Sequence, residues 1–281
     1  MRLAAILTAS VMLSGCMASA QRDEAKPLSG VASLDLCADQ MLLKLVDTKR
    51  IKAVSNEAEL DDSFAASRAA ALPRIRPTVE EIAALRPAIV LKSYGGGPLL
   101  DAQLAQLGIK VVQLDYAARL SDIPATINSA AEKLGAVDAG KATVVAFNAQ
   151  LAGAQGGKDE VHPSLLYVTP GGVTTGPGSL IDDAITAAGY RNYSSKPGWY
   201  ALPLEQLVEE KPDAALAAFF DKSAHDQDAW SSARHPVARK ALSGVPTIMA
   251  TGAKVSCGNW LIGDVVEEMA AKREIARKTP S

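Results

Sequence analysis

The sequence predicts an α/β protein of two lobes, each with a parallel-rich, Rossmann-like sheet, joined by one long bridging α-helix. Three observations carry that reading. Short apolar runs alternate with helical periods along most of the chain, which is the pattern of parallel strands joined by crossover helices. An alanine-rich stretch without proline, between Pro124 and Pro163, interrupts the alternation. The segment from Val79 to Ala88 is echoed 125 positions later by the segment from Leu204 to Asp213. In both, an acidic helix start leads through a basic residue to proline and then to a buried strand. Proline stops the helix and feeds the strand, and a repeat at that distance favours two similar lobes.

The elements follow in order. Residues 31–34 read as a strand, 37–46 as a helix and 51–55 as a second strand. Residues 56–76 are polar and irregular, with Asp61, Asp62 and Pro73 as loop signals. A short helix over 79–85 feeds a strand over 88–92, and Gly95-Gly96-Gly97-Pro98 breaks the chain. A helix over 100–107 and a strand over 109–114 follow. Helical periods then cover 126–134 and 141–151, the second reaching 154 before Gly156-Gly157. This second stretch reads as the bridge, and a pair of ordinary crossover helices within one sheet is the alternative. Beyond it come a strand over 165–169, a glycine-rich turn over 171–178 and a helix over 180–188. A helix over 204–210, a strand over 214–219, and a helix over 228–242 despite Pro236 come next. A strand over 245–250 and a closing helix over 260–273 complete the chain. The expected division is a first lobe at 28–136, a bridge at 137–156 and a second lobe at 160–281.

The N-terminus reads as an export signal over residues 1–20. Arg2 precedes an apolar stretch over 3–13 that is too short to span a bilayer, which takes about 20 apolar residues. A buried N-terminal helix is the alternative. Two processing sites compete: Leu13-Ser14-Gly15-Cys16 has the form of a lipobox ending in an acylated Cys16, and Ala18-Ser19-Ala20 is an ordinary cleavage site. Either route leads out of the cytoplasm, to the periplasm or to a membrane-anchored lipoprotein there. Cys37 and Cys257 remain after processing. In an oxidising compartment they either pair or stand as two separate buried hydrophobes.

Several chemistries find no support. A net charge of -2, with Lys and Arg spread along the chain, lacks the basic stripe of a nucleic-acid binder. His162, His225 and His235 stand apart, so a site for a bare metal ion is not expected. The run Gly171 to Ser179 has the glycine spacing of a phosphate loop, but Pro177 stands where lysine is needed. No G-x-S-x-G elbow occurs. No catalytic residue and no resident cofactor are expected.

The segments from Val31 to Gln40 and from Arg50 to Ser55, and Pro77-Thr78-Val79-Glu80-Glu81-Ile82 leading to Leu85-Arg86-Pro87, carry a resemblance. So do Gly178 to Asp182, Gly198-Trp199-Tyr200 and Ser256-Cys257-Gly258-Asn259-Trp260. Together they resemble the periplasmic binding proteins of ABC importers for iron-siderophores, haem and vitamin B12. The resemblance covers nearly the whole mature chain. It implies a ligand cleft between the lobes and a monomer that delivers a small metal chelate to a permease dimer with its ATPase subunits. It also implies one docking glutamate per lobe, Glu80 and Glu205 by position. An exported hydrolase or oxidoreductase is the alternative function.

A flat chelate needs apolar walls and a few polar anchors. Candidates sit at strand-to-helix turns, where α/β folds expose residues to a crevice. They are Ser33, Asp35 and Tyr94 in the first lobe and Trp199, Tyr200 and Trp260 in the second. Arg234 and Lys254 are candidates for a ligand carboxylate or phosphate. Trp230 is expected to pack a helix.

Overall fold

The computed structural model describes residues 27–59, 63–155, 162–219 and 231–278. The export segment with Cys16, and Asp61, Asp62, His225 and Trp230, lie outside the described residues.

The chain enters through β1 (Val31–Ser33), which is wholly buried. Asp35 then caps α1 (Leu36–Leu45) by accepting from the Ala38 amide. Strand β2 (Ile51–Ser55) follows. The stretch expected to be irregular folds instead into a 3-10 turn (Asn56–Glu59), α2 (Ser63–Ala69) and the two-residue β3 (Arg74–Ile75). Thr78 caps α3 (Val79–Leu85), which ends on a left-handed Arg86 just before Pro87. Next come β4 (Ile89–Lys92), α4 (Leu100–Gln106) and β5 (Lys110–Gln113). All pairings are parallel, in the order β3-β2-β1-β4-β5. The central strands are the most apolar, as a sheet covered on both faces requires.

Helix α5 (Ile123–Leu134) has Pro124 in its first turn and stops at Gly135, which is left-handed. Helix α6 (Val137–Ala154) spans 18 residues, about 27 Å at 1.5 Å per residue. It leans on α5, where a side chain at Gly140 would collide with Ala131. Two turns further along the same buried stripe, Phe147 packs toward Gly263.

The second half holds β6 (Ser164–Val168), β7 (Val173–Thr175), α7 (Leu180–Ala187), β8 (Arg191–Asn192) and β9 (Trp199–Ala201). It continues with α8 (Leu204–Glu209), β10 (Ala214–Ala218), α9 (Pro236–Leu242) and β11 (Thr247–Ala250). Helices α10 (Gly252–Ser256) and α11 (Ile262–Lys278) close it. A parallel sheet runs β11-β10-β6-β8. The expected glycine-rich turn contains β7, which pairs antiparallel with β9 as a separate ribbon. Of the helix expected over 228–242, residues 228–230 lie outside the described residues. The described part holds a 3-10 turn at Ser232–Arg234 and then α9, where proline, with no N–H to donate within a helix, takes the first position and His235 is the cap.

Among the described residues the two parallel sheets are separate, which replaces the single-sheet alternative. One apolar core nevertheless runs through both halves, from Leu42 and Ile127 through Phe147 to Ile185 and Val266. Each outer sheet face has its own smaller core, around Ile82 in the first lobe and Leu207 in the second. α6 and α11 pack together, and Gln150 on α6 donates to Asp264 on α11 at 3.0 Å. Among the described residues, no helix is long and apolar enough to cross a membrane.

Candidate functional site

Parallel strands deliver their following residues to one edge, and in both lobes that edge faces the other lobe. A cavity of about 380 Å³ lies there. The first lobe contributes Tyr116 and Ala118, just after β5. The second contributes Tyr167 as floor, Ser179 at the cap of α7, Trp199 on β9, and Phe219 just beyond β10. Tyr116 is 79% exposed and Trp199 60%, whereas Tyr167 is buried. The Trp199 ring stands edge-on to Tyr167, with centroids 5.9 Å apart at 77°. Burial holds the Tyr167 phenol far above its ordinary range, so it stays protonated. Aromatic surface thus comes from both lobes, with Ser179, Thr169 and Ser256 as hydroxyl groups on the lining. A larger hollow of about 710 Å³ lies between α8 and α9, but it belongs to the second lobe alone.

The other candidates fall elsewhere. Tyr200 alternates to the opposite side of β9 from Trp199, and Lys196 sits 5.5 Å from its ring centre. Tyr94 is exposed at the end of β4 and donates to Glu57 at 2.5 Å, outside the cavity lining. Lys254 pairs with Glu268 at 2.8 Å and lies near Asp264. Arg234 is exposed on the 3-10 turn before α9. Glu80 and Glu205 are exposed in the first turns of α3 and α8. Crossover helices run against their strands, so both glutamates lie toward the cleft edge.

Three candidates are corrected. Ser33 and Asp35 are fully buried and Trp260 is 5% exposed, so none presents a surface to a ligand. Asp35 accepts from the amides of Ser93, Tyr94 and Gly95 at 2.7, 3.0 and 2.9 Å, in addition to its cap bond. Ser33 donates to Asp39. Trp260 packs edge-on against Phe64, with Lys44 over its ring at 5.4 Å. Tyr116, Tyr167 and Phe219 are lining residues that sequence reasoning missed. Tyr116 carries the same signal as Tyr94, an aromatic just past a strand. Phe219 hides at the end of an apolar run, and Tyr167 lies within one.

The lobes are tied beside the cavity. Arg119 grips Asp183 with two bonds, at 2.7 and 2.6 Å. Gln40 donates to the Ala253 carbonyl at 3.1 Å and accepts from Asn259 at 2.5 Å. Cys37 and Cys257 are joined by a disulfide. Among the described residues, no three His, Cys, Asp or Glu side chains converge as a metal site.

A sequence model of the family described as periplasmic binding protein matches residues 31–228. The chain belongs to the periplasmic binding protein family. No curated protein matches this binding protein in sequence. Its fold is similar to the apo periplasmic heme-binding protein RhuT from Roseiflexus sp. RS-1. The TM-score is 0.69 and the identity 18%, covering 89% of this chain and 100% of that one. It is also similar to the periplasmic vitamin B12 binding protein BtuF of Vibrio cholerae, with TM-score 0.58 and 18% identity over 90% and 99% of the two chains. A third likeness is to an ABC-type Fe3+-hydroxamate transport system from Saccharomonospora viridis, with TM-score 0.62 and 16% identity over 90% and 94%. The family is one of binding proteins, which weighs against the exported-enzyme alternative.

One glycine supports the cavity wall. A side chain at Gly252 would overlap the Phe219 ring, whose residue already has a left-handed φ of 67°. Gly252→Ala is expected to cost about 1–3 kcal/mol by overpacking. It should also push Phe219 toward the cavity. Urea unfolding measures the first effect, and an unchanged midpoint would remove Gly252 from this role.

Proposed function

We propose that this binding protein captures a small metal chelate in the periplasm and hands it to the permease of an ABC importer. One observation carries the reading: Tyr116 and Trp199, on different lobes, expose aromatic surface to a single cavity. Flat ligands with a delocalised ring or an aromatic chelating arm suit such walls. The similar folds named for heme, vitamin B12 and Fe3+-hydroxamate support a chelate as the ligand class. Glu80 and Glu205 are the docking residues in this reading, one on each lobe at the cleft side. Charge placed there sets orientation and speeds encounter more than it adds affinity. The two processing routes reach the same compartment, and the intact mass of the mature protein distinguishes acylation at Cys16 from cleavage after Ala20. The working unit is a monomer of two lobes, divided at the bridge over 137–156.

The test is a tryptophan-fluorescence titration with hemin, a ferric trihydroxamate and cyanocobalamin. At least one should bind one-to-one. Tyr116→Ala and Trp199→Ala should each weaken that ligand about 10- to 100-fold, the range of an aromatic anchor, with little change in thermal midpoint. If none of the three binds, or both variants bind like the parent, the assignment fails. A Glu80→Ala, Glu205→Ala double variant should bind normally and fail in reconstituted transport.

A further inference from the structure

We propose that the Cys37–Cys257 disulfide and the Gln40–Asn259 pair beside it are a positioning device that presets the gap between the two walls of the cleft. The inference rests on the reading of that cleft as the ligand site. Cys37 lies in the first turn of α1, and Cys257 directly follows α10. The two residues are 220 positions apart, and their Cα atoms are 5.2 Å apart. Val255, Ser256 and Gly258, the residues flanking Cys257, line the cavity. The bond therefore fastens one strip of the second lobe's ligand surface to a helix of the first.

Gln40 lies three residues after Cys37, on the same face of α1. Its side-chain amide is fully buried, and it engages the Ala253 carbonyl and Asn259. Asn259 is 3% exposed and turns its own carbonyl oxygen to the Leu261 amide at 2.9 Å. The staple and the paired amides thus hold residues 253–259 to α1 at three points, Ala253, Cys257 and Asn259. Gly258 also approaches the Ala117 carbonyl, next to Tyr116 and Ala118 on the opposing wall. The strip cannot shift relative to α1 without breaking a covalent bond or stranding buried amides. A gap set in advance removes part of the ordering cost of binding, so the gain falls mainly on residence time.

The experiment uses the mature chain and a Cys37→Ser, Cys257→Ser double variant. The parent reduced in its folded state with a phosphine serves as a second sample, should the variant fold poorly. Amide exchange over residues 252–261, without ligand, should speed up at least tenfold in both samples while the strands of both sheets keep their protection. For whichever of hemin, the ferric trihydroxamate or cyanocobalamin the parent binds, dissociation should quicken about tenfold and association should change less than threefold. If the disulfide only stabilised the fold, its loss would lower the thermal midpoint and leave both rate constants unchanged. That outcome, or unchanged exchange over 252–261, overturns the proposal. If the parent binds none of the three probes, the chelate reading fails while the exchange result still decides whether the staple holds the strip.

Discussion

Asp35→Ala is expected to lower the unfolding free energy by about 3–5 kcal/mol, placing it among the most damaging single substitutions in the chain. One oxygen of this fully buried carboxylate accepts from the Ala38 amide at 2.9 Å. The other takes the Ser93, Tyr94 and Gly95 amides. Hydrogen bonds to a charged acceptor contribute about 1.5–3 kcal/mol each, and stranding a buried donor costs about 1–3 kcal/mol. The alanine variant strands four donors at once. Asp35→Asn tests the charge separately. Its amide keeps one accepting oxygen, but its NH2 must then face a backbone donor. Stability should therefore fall in the order parent, Asp35→Asn, Asp35→Ala, measured by chemical denaturation. The loop from Ser93 to Gly95 should lose exchange protection in the same order. A loss under about 1 kcal/mol for Asp35→Ala would mean that water replaces the carboxylate at little cost.

That carboxylate also shows where the sequence was readable and where it was not. The strands at 31, 51, 89, 165 and 214 were legible because they run parallel and are covered on both faces, while the edge strands at 110 and 247 keep an apolar pair at their centre. Strands covered on both faces appear as apolar runs between helix stops. The two-residue β3 and β7, which reads Val173-Thr174-Thr175, were not, because neither holds an apolar run, and the five-residue α10 is too short to show a helical period. At the site, the rule that residues just past a parallel strand face a crevice located the right edge of each sheet. It does not tell which of those residues turn outward. Ser33 ends β1 and Asp35 follows it, much as Tyr116 follows β5, yet their polar atoms find partners in the protein and theirs is a buried role. Trp199 was legible as a residue at a strand end and within the Gly198-Trp199-Tyr200 segment of the family resemblance, and it lines the cavity from β9. Tyr167 could not be, since its ring serves the core and the cavity floor together. The partner of Cys37 lies 220 positions away, a distance over which only the folded chain carries information.

The second large effect is a dependence on pH centred beneath the first lobe's cleft edge. Asp39 is fully buried on α1. It accepts from the Ser55 amide at 2.9 Å, from the Ser55 hydroxyl at 2.5 Å, and from Ser33. Those bonds favour the carboxylate, but loss of solvent outweighs them, with the neighbouring Asp35 charge adding to it. The Asp39 carboxyl is pushed up to about 6. In the unfolded chain it returns to about 4. The folded state thus holds this proton more tightly, and the contribution to stability runs one way. It is complete below about pH 4 and is lost as pH rises through about 6. At about 1.4 kcal/mol per tenfold change in proton affinity, the loss is about 3 kcal/mol. Glu81 and Asp115 act in the opposite direction, their carboxyls lowered by Arg76 and by Ser129 with Lys133, but both are open to solvent and add little. Asp39→Asn isolates the effect, because an amide of the same shape cannot ionise. Its stability relative to the parent should rise by about 2–3 kcal/mol between pH 4 and pH 7.5, read from urea midpoints across that range. Parallel pH curves for the two proteins would show that the Ser33 and Ser55 bonds hold Asp39 ionised throughout, and that the charge costs the fold nothing.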